Sequence, residues 1–167
     1  EVVARVLAPA GVGAIAEPEL EQRARAALRR REPLLADPRT DCQRLIHGEA
    51  DDLPGLLVDR WGPSLLVATR TAAAAAGISA PVYAVLRERF PDARLYEKDH
   101  IVDLRRRGAG KEGDDLPGRW IHGEPDLGDD AILVREDGLE YRVEPLRGMT
   151  IGLYPDQRDN RRRLATL

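Results

Sequence analysis

Residues 56–71 read LLVDRWGPSLLVATRT and contain two short runs that are rich in β-forming residues. Leu56–Trp61 and Ser64–Thr71 are separated by Gly62-Pro63, a dipeptide that is typical of a turn. Two strands that are joined by so short a connection pair side by side in opposite directions. The segment therefore predicts an antiparallel β-hairpin.

On either side of this hairpin, weaker patterns predict further elements. Before it, Cys42–Ile46 is a candidate short strand. After it, Pro81–Phe90 has apolar residues at helical spacing and is stopped by Pro91, and Arg94–Tyr96 is the next candidate strand. Strands and a helix in this order predict a small mixed domain of the α+β class.

The N-terminal region contains one strongly patterned helix. From Pro18 the sequence reads PELEQRARAALRRREPLL, with acidic residues in the first turn and arginines toward the end, an order that complements the helix dipole. Its narrow apolar stripe predicts an amphipathic helix. Residues Glu1–Leu7 are predicted to form a strand or the tail of a preceding module.

The C-terminal part of the chain contains a loop and a hairpin. Residues 105–128 are rich in glycine, charge and turn signals, which predicts a mobile or ligand-contacting loop. Ala131–Arg135 and Leu139–Val143 are joined by Glu136-Asp137-Gly138, and Asp-Gly supplies the positive φ of a tight turn. This is the clearest hairpin in the sequence.

Composition limits the class of protein. The 167 residues are 43% hydrophobic and 33% charged, enough to bury the core of one domain or of a small domain with an appended element. No run approaches the roughly 18 apolar residues of a membrane span, so we expect no membrane partner and a cytoplasmic location. The single cysteine, Cys42, excludes an intramolecular disulfide and a cysteine-based zinc cluster, and we expect it to be an ordinary packing residue or a loop thiol.

The net charge of −3 argues against a uniformly basic, nucleic-acid-binding surface. Arginines are nevertheless clustered, so the sequence is compatible with a basic surface on one side of the protein. The best candidate for a phosphate-binding patch is the loop with three consecutive arginines, because charge in a pliable loop fits an irregular RNA backbone. A solvated charged loop is an equally weighted alternative. The candidate RNA-binding residues are Arg105, Arg106, Arg107, Lys111, Arg119 and Trp120.

The stretch HGEADDLPG contains His47, Glu49, Asp51 and Asp52, which suggest metal ligands or an acid–base pair. A single histidine among carboxylates, without a repeated ligand spacing, is a weak sign of a metal site. Residues 53–55, Leu-Pro-Gly, are typical of a turn that leads into the next strand. We therefore favour a structural role for this loop and predict no metal site.

Two longer motifs carry a family resemblance. Residues 44–62, RLIHGEADDLPGLLVDRWG, closely resemble the middle region of the class I SAM-dependent large-subunit rRNA (cytosine-5) methyltransferases, with Asp52 in place of the usual Gly and Trp61 in place of Tyr. Residues 148–161, GMTIGLYPDQRDNR, are similar to the stretch that precedes the SAM-binding Rossmann domain in that family. Thr150 stands where the family has a lysine.

The resemblance implies a division of the chain. Members carry an N-terminal PUA domain, a middle domain of strand-strand-helix-strand-strand type and a C-terminal methyltransferase domain. By this resemblance, residues 1–40 form the end of a PUA-like module with a linker helix, and residues 41–128 form the middle α+β domain. Residues 129–167 form a β-hairpin and the first helix of a truncated, Rossmann-like methyltransferase domain.

The resemblance also implies that the DQRDNR stretch lies beside the cofactor and the target base. Arg158 and Arg161 are three residues apart, on one face of the predicted helix. The alternative is structural: Asp156 is a plain N-cap, and Arg161 belongs to an ion pair. The candidate cofactor-binding residues are Gly152, Tyr154, Asp156, Gln157, Arg158, Asn160 and Arg161.

We predict no catalytic residue in this sequence. A class I methyltransferase needs a Gly-rich turn after its first strand and an acid for the ribose hydroxyls, and both motifs are missing here. The catalytic cysteine of the family lies beyond the last residue of this chain. S-adenosyl-L-methionine (SAM) is therefore expected as the cofactor of the full-length family, with none bound by this chain alone.

Three hypotheses remain open at this point. The chain is part of an rRNA methyltransferase, with ribosomal RNA as its partner; or it is a stand-alone RNA-binding module without catalysis; or it is an interaction domain that does not bind RNA. The motifs favour the first. The oligomeric state is open, with a homodimer as one option.

Overall fold

The computed structural model describes residues 15–99, 118–123, 131–144 and 151–167. These residues form a mixed fold of helices and strands. The helices are α1 (Glu17–Arg30), α2 (Glu32–Leu35), α3 (Ser79–Arg89) and α4 (Arg158–Leu164). The strands are β1 (Cys42–His47), β2 (Leu56–Trp61), β3 (Ser64–Thr69), β4 (Arg94–Asp99), β5 (Gly118–His122), β6 (Ile132–Glu136) and β7 (Leu139–Val143). The predicted strand Glu1–Leu7 lies outside the described residues.

Strands β1 to β5 form one sheet in sequence order. Neighbouring strands are antiparallel except for β3 and β4, which run parallel because α3 connects them. Trp61 lies opposite Ser64 at the closed end of the β2–β3 pair. The hairpin that the sequence predicted is therefore confirmed, although β3 ends at Thr69 rather than at residue 71.

Two predictions about this sheet were wrong. The resemblance implied two strands before α3, whereas the structure has three, as the residue patterns from Cys42 to Thr71 predicted. Residues 118–122, which were assigned to the long loop of residues 105–128, form the edge strand β5. The strand is only five residues long and lies within a segment rich in glycine and charge, so the sequence predicted a loop there; its stability comes from pairing with β4.

Helices α1 and α3 pack together on one face of the sheet. Helix α1 buries Leu20, Ala24, Ala27 and Leu28, which is the apolar stripe that the sequence predicted. Ala24 and Ala27 are fully buried, and their small side chains keep the buried face of the helix narrow. This core also contains buried residues from β1 to β4 and α3, so α1 shares it with the sheet.

The hairpin of β6 and β7 lies on the opposite face of the sheet. Cys42, Trp61 and Leu66 of the sheet pack there against Val134 and Val143 of the hairpin. Within the hairpin, Asp137 has φ 50 and Gly138 has φ 84, as the predicted tight turn requires. Burial of apolar side chains on both faces holds the hairpin and the helices to the same central sheet.

Candidate functional site

The DQRDNR stretch forms a short 3-10 turn, Pro155–Gln157, followed by α4. The turn packs against β1. Gly152, just before it, has φ 81, a left-handed conformation that glycine adopts without strain. The stretch is thus held beside both the sheet and the β6–β7 hairpin.

Arg161 forms a two-pronged ion pair with Glu136, the last residue of β6. Its Nε lies 2.7 Å from Oε1 and its Nη2 lies 2.7 Å from Oε2. The Glu136 side chain is only 3% exposed. Nη2 also donates to the carbonyl oxygen of Tyr154 at 2.9 Å. The ion pair that the sequence left as an alternative for Arg161 is therefore present.

Arg162 makes a second ion pair of the same type with Asp137. Its Nη2 lies 2.6 Å from Oδ1 and its Nε lies 3.0 Å from Oδ2. The hydrogen bond from Arg162 holds the pKa of Asp137 below its ordinary value. Two consecutive carboxylates of the hairpin turn thus bind two consecutive arginines of α4. We call these four residues the turn–helix ion pairs.

The sequence analysis missed three members of the turn–helix ion pairs, namely Glu136, Asp137 and Arg162. The sequence did contain a signal for this contact: the turn carries two consecutive acidic residues, and residues 161–163 are three consecutive arginines of opposite charge. Only the tertiary structure shows that the two segments meet, since 25 residues separate each carboxylate from its arginine.

Three other polar side chains of the stretch point to solvent. Asp156, Gln157 and Asn160 are exposed. They form a short chain, in which Asn160 Nδ2 donates to Gln157 Oε1 at 2.7 Å and Gln157 Nε2 donates to Asp156 Oδ2 at 3.2 Å. Asp156 does not cap α4, whose N-cap residue is Gln157, so the N-cap alternative was wrong. We call these three residues the exposed amide row.

The other cofactor candidates differ in their exposure. Tyr154 is 53% exposed. The Arg158 side chain is only 13% exposed, and its Nε lies 3.9 Å from Asp159 Oδ1. The positive charge of Arg158 also helps to lower the pKa of Asp137, after the stronger effect of Arg162. Arg158 is therefore largely buried, unlike Tyr154.

Cys42 lies next to these ion pairs. Its Sγ is 3.9 Å from Glu136 Oε2 and 3.8 Å from the carbonyl oxygen of Arg135. Burial is the main cause that raises the pKa of this thiol, so it is held in the neutral form. Of the two roles predicted for Cys42, the structure shows the packing residue and not the loop thiol.

Two of the RNA-binding candidates lie on β5, and the structure separates them. Arg119 Nε lies 2.8 Å from Glu97 Oε2. The Trp120 ring meets the Tyr96 ring edge to face, with 4.9 Å between centroids. Adjacent residues of a strand point to opposite faces of the sheet, so the two side chains do not form one surface. The other candidates, Arg105, Arg106, Arg107 and Lys111, lie outside the described residues.

The HGEADDLPG loop has the structural role that we favoured. Asp51 is 1% exposed and accepts hydrogen bonds from Arg30, Arg31 and the backbone N–H of His47, at 2.5, 2.6 and 2.7 Å. Asp52 has φ 56, a left-handed conformation, at the position where the related pattern has Gly. Among the described residues, no group of three or more His, Cys, Asp or Glu side chains is placed to hold a metal ion.

Within the same described ranges, no helix is both long enough and apolar enough to cross a bilayer.

Comparison with known proteins identifies similar sequences among ribosomal RNA large subunit methyltransferases. One from Deinococcus radiodurans is 36% identical over 150 residues, which cover 85% of this chain and 34% of that protein. Methyltransferase I from Shewanella amazonensis is 35% identical over 131 residues, covering 78% of this chain and 31% of its own length. The chain thus spans about a third of these relatives. No protein-family model matches the chain.

Solved structures show the same fold. A protein from Streptococcus mutans that is assigned as a SAM-dependent methyltransferase superposes with a TM-score of 0.72, at 19% identity, over 92% of this chain and 36% of that protein. A crystal structure of a methyltransferase complexed with S-adenosyl-homocysteine (SAH) superposes equally well. Identity at this level shows the fold alone.

Proposed function

We propose that this chain is the part of a SAM-dependent large-subunit rRNA methyltransferase that lies beside the catalytic domain and helps to position RNA for methyl transfer. The observation that carries the proposal is the 36% identity over 85% of the chain with such an enzyme. The residues that resemble the family's cofactor-side stretch also form an ordered surface, which supports the same role. Cytosine C5 as the methylated atom is part of the proposal.

The exposed amide row fits one wall of a cofactor site. Asp156, Gln157 and Asn160 present one carboxylate and two amides to solvent, groups that accept from and donate to the polar parts of SAM. SAM would supply the methyl group. The described residues contain no Gly-rich turn between a strand and a helix, so the rest of the cofactor site would belong to a methyltransferase domain. We propose that Gly152, Tyr154 and Arg158 shape this wall.

We also propose that the chain divides into residues 1–40, 41–128 and 129–167, as the resemblance implies. Helix α1 packs in the core of the sheet, which ties the first of these units firmly to the second. Ribosomal RNA is the proposed partner and the cytoplasm the proposed location. At the edge of the sheet, the Arg119 side chain is 70% exposed and is available to a phosphate group.

The competing function is a stand-alone RNA-binding module. SAM binding separates the two, because only the enzyme requires the cofactor. We expect calorimetry to show SAM binding to the full-length protein that carries this chain, and no binding to the 167 residues alone. Methyl transfer from labelled SAM to large-subunit rRNA should accompany it. A full-length protein that binds rRNA but not SAM would contradict the proposal and support the alternative.

A further inference from the structure

The geometry points to Glu136 and Asp137 as positioning residues that hold the exposed amide row in the orientation needed for cofactor binding. This inference rests on the proposed function, in which Asp156, Gln157 and Asn160 form one wall of the SAM site. In this inference Arg161 and the exposed amide row have different roles. Arg161 binds Glu136 and so orients α4, and it does not contact the cofactor directly.

The first argument is the geometry of the two ion pairs. Both arginines bind their carboxylates through two nitrogens, with all four distances between 2.6 and 3.0 Å. A two-pronged arginine–carboxylate contact constrains orientation as well as distance. Two such contacts on consecutive residues of α4 restrict rotation of the helix about its own axis. The turn–helix ion pairs therefore determine which way the exposed amide row faces.

The second argument is that, within the part of the chain that the structure describes, few other contacts hold α4 in place. The helix has seven residues and buries none of them. Leu164 is 68% exposed, so apolar packing contributes little at this end. An isolated helix of this length is unstable in water, and tertiary contacts must stabilise it. Among the described residues, the turn–helix ion pairs supply the strongest of these contacts.

The third argument is the rigidity of the carboxylates. The Glu136 side chain is buried, and its strand pairs with β7 next to the core that contains Cys42 and Val134. The backbone N–H of Asp137 donates to the carbonyl oxygen of Arg39 at 2.9 Å, which connects the turn to the segment before β1. The carboxylates are thus part of the rigid hairpin, and α4 takes its orientation from them.

The test uses Glu136→Gln and Asp137→Asn in the full-length protein, because both changes keep the side-chain shape and remove the charge. Asp137 is more exposed than Glu136, so its variant is expected to fold even if Glu136→Gln does not. Glu140→Gln is the matched control: it removes an exposed carboxylate from the same hairpin, outside the ion pairs. Circular dichroism checks the fold of each variant.

We expect Glu136→Gln to raise the Kd and the KM for SAM about tenfold, since a stretch that is correctly oriented a tenth of the time binds with a tenth of the affinity. Asp137→Asn should raise both by a smaller factor, and Glu140→Gln should leave them unchanged. The kcat at saturating SAM should stay within about twofold, because bound cofactor restores the orientation. A general loss of structure would lower kcat as well.

Two outcomes would overturn different claims. If the wild-type protein binds SAM but both folded variants bind it with unchanged Kd, the positioning role is wrong and the proposed function stands. If the wild-type protein does not bind SAM, the proposed function is wrong and the positioning role falls with it. Arg161→Lys, which keeps the charge and loses the two-pronged contact, should give a Kd between those of wild type and Glu136→Gln.

Discussion

Arg31 reaches from the end of α1 to Asp51, with its Nη1 2.6 Å from the carboxylate Oδ1. Arg30 binds the same oxygen at 2.5 Å, and the backbone N–H of His47 donates to the other oxygen at 2.7 Å. One buried carboxylate thus joins α1 to the loop between β1 and β2. The contact gives this acidic loop a structural role.

Replacing Asp51 should destabilise the fold. Asp51→Ala removes the shared partner of two arginines and leaves the His47 N–H without its acceptor. Breaking a buried ion pair on one side costs about 3 to 5 kcal/mol, and we expect about 3 kcal/mol here because Arg30 is half exposed. Urea unfolding should show a lower midpoint with an unchanged m value. Asp52→Asn, at the neighbouring exposed position, is the control and should have little effect.

Acidification should weaken the same contact. Burial alone would raise the pKa of Asp51, but the hydrogen bonds from Arg31, Arg30 and the His47 N–H outweigh it, so the pKa lies below its ordinary value. A lowered pKa in the folded state contributes stability above the unfolded pKa of about 3.9, and this stability is lost as the pH falls through the folded pKa. Wild type should therefore lose more stability than Asp51→Asn below about pH 4.

Urea midpoints that are measured for both proteins from neutral pH down to about pH 3 test this difference. Other carboxylates with lowered pKa, such as Glu88 beside Arg25, titrate in both proteins and cancel in the comparison. Parallel curves for wild type and Asp51→Asn would show that the Asp51 carboxylate contributes nothing to the pH dependence.

The left-handed conformation of Asp52 gives a prediction of the opposite sign. A non-glycine residue at φ 56 is strained, and glycine adopts this conformation freely. The hydrogen bond from Arg23 to residue 52 uses the backbone carbonyl and would survive the change. We expect Asp52→Gly to raise the free energy of unfolding by up to about 1 kcal/mol. Thermal unfolding measures it, and a lower Tm would contradict the interpretation of strain.

The β4–β5 pairing should not tolerate a side chain at Gly118. A Cβ there would lie 2.6 Å from the carbonyl oxygen of Glu97 and would also collide with Tyr96 Oη. The backbone oxygen cannot move without opening the ladder, so Gly118→Ala should detach the end of β5. Gly77→Ala, where a Cβ meets nothing within 4 Å, is the control.

The effect of Gly118→Ala can be followed by tryptophan fluorescence. Trp120 packs against Tyr96 only while β5 is paired, whereas Trp61 lies in the core beneath the hairpin. We expect Gly118→Ala to shift the emission toward that of a solvent-exposed ring, and Gly77→Ala to leave it unchanged. An unchanged spectrum in Gly118→Ala would mean that the strand absorbs the extra methyl group.

Local sequence patterns were sufficient for much of this fold. Helix α1, the β2–β3 pair and the β6–β7 hairpin each follow from residues that are adjacent in the chain: a dipole-matched helix, a Gly-Pro turn and an Asp-Gly turn. The DQRDNR stretch was also identified from the sequence as the candidate site, and the structure shows it as an ordered turn and helix.

Other features depended on partners that are distant in the chain. Strand β5 exists because β4 supplies its hydrogen bonds, and the glycine-rich, charged segment of residues 105–128 that contains it predicted a loop. Arg119 and Trp120 were expected on one RNA-binding surface, but strand pairing turns them to opposite faces. No local pattern shows whether such a segment forms a strand or which face its side chains occupy, because both depend on the segment that packs beside it.

The sequence by itself thus determined helix α1, the two hairpins and the choice of the DQRDNR stretch as the candidate site. The tertiary structure alone decided which of those residues are paired and which are exposed: it brings Glu136 to Arg161 and Asp137 to Arg162, and leaves Asp156, Gln157 and Asn160 exposed. The physical reason is that helix and turn propensities act over a few neighbouring residues, whereas an ion pair is formed by any two charges that the packed core brings together.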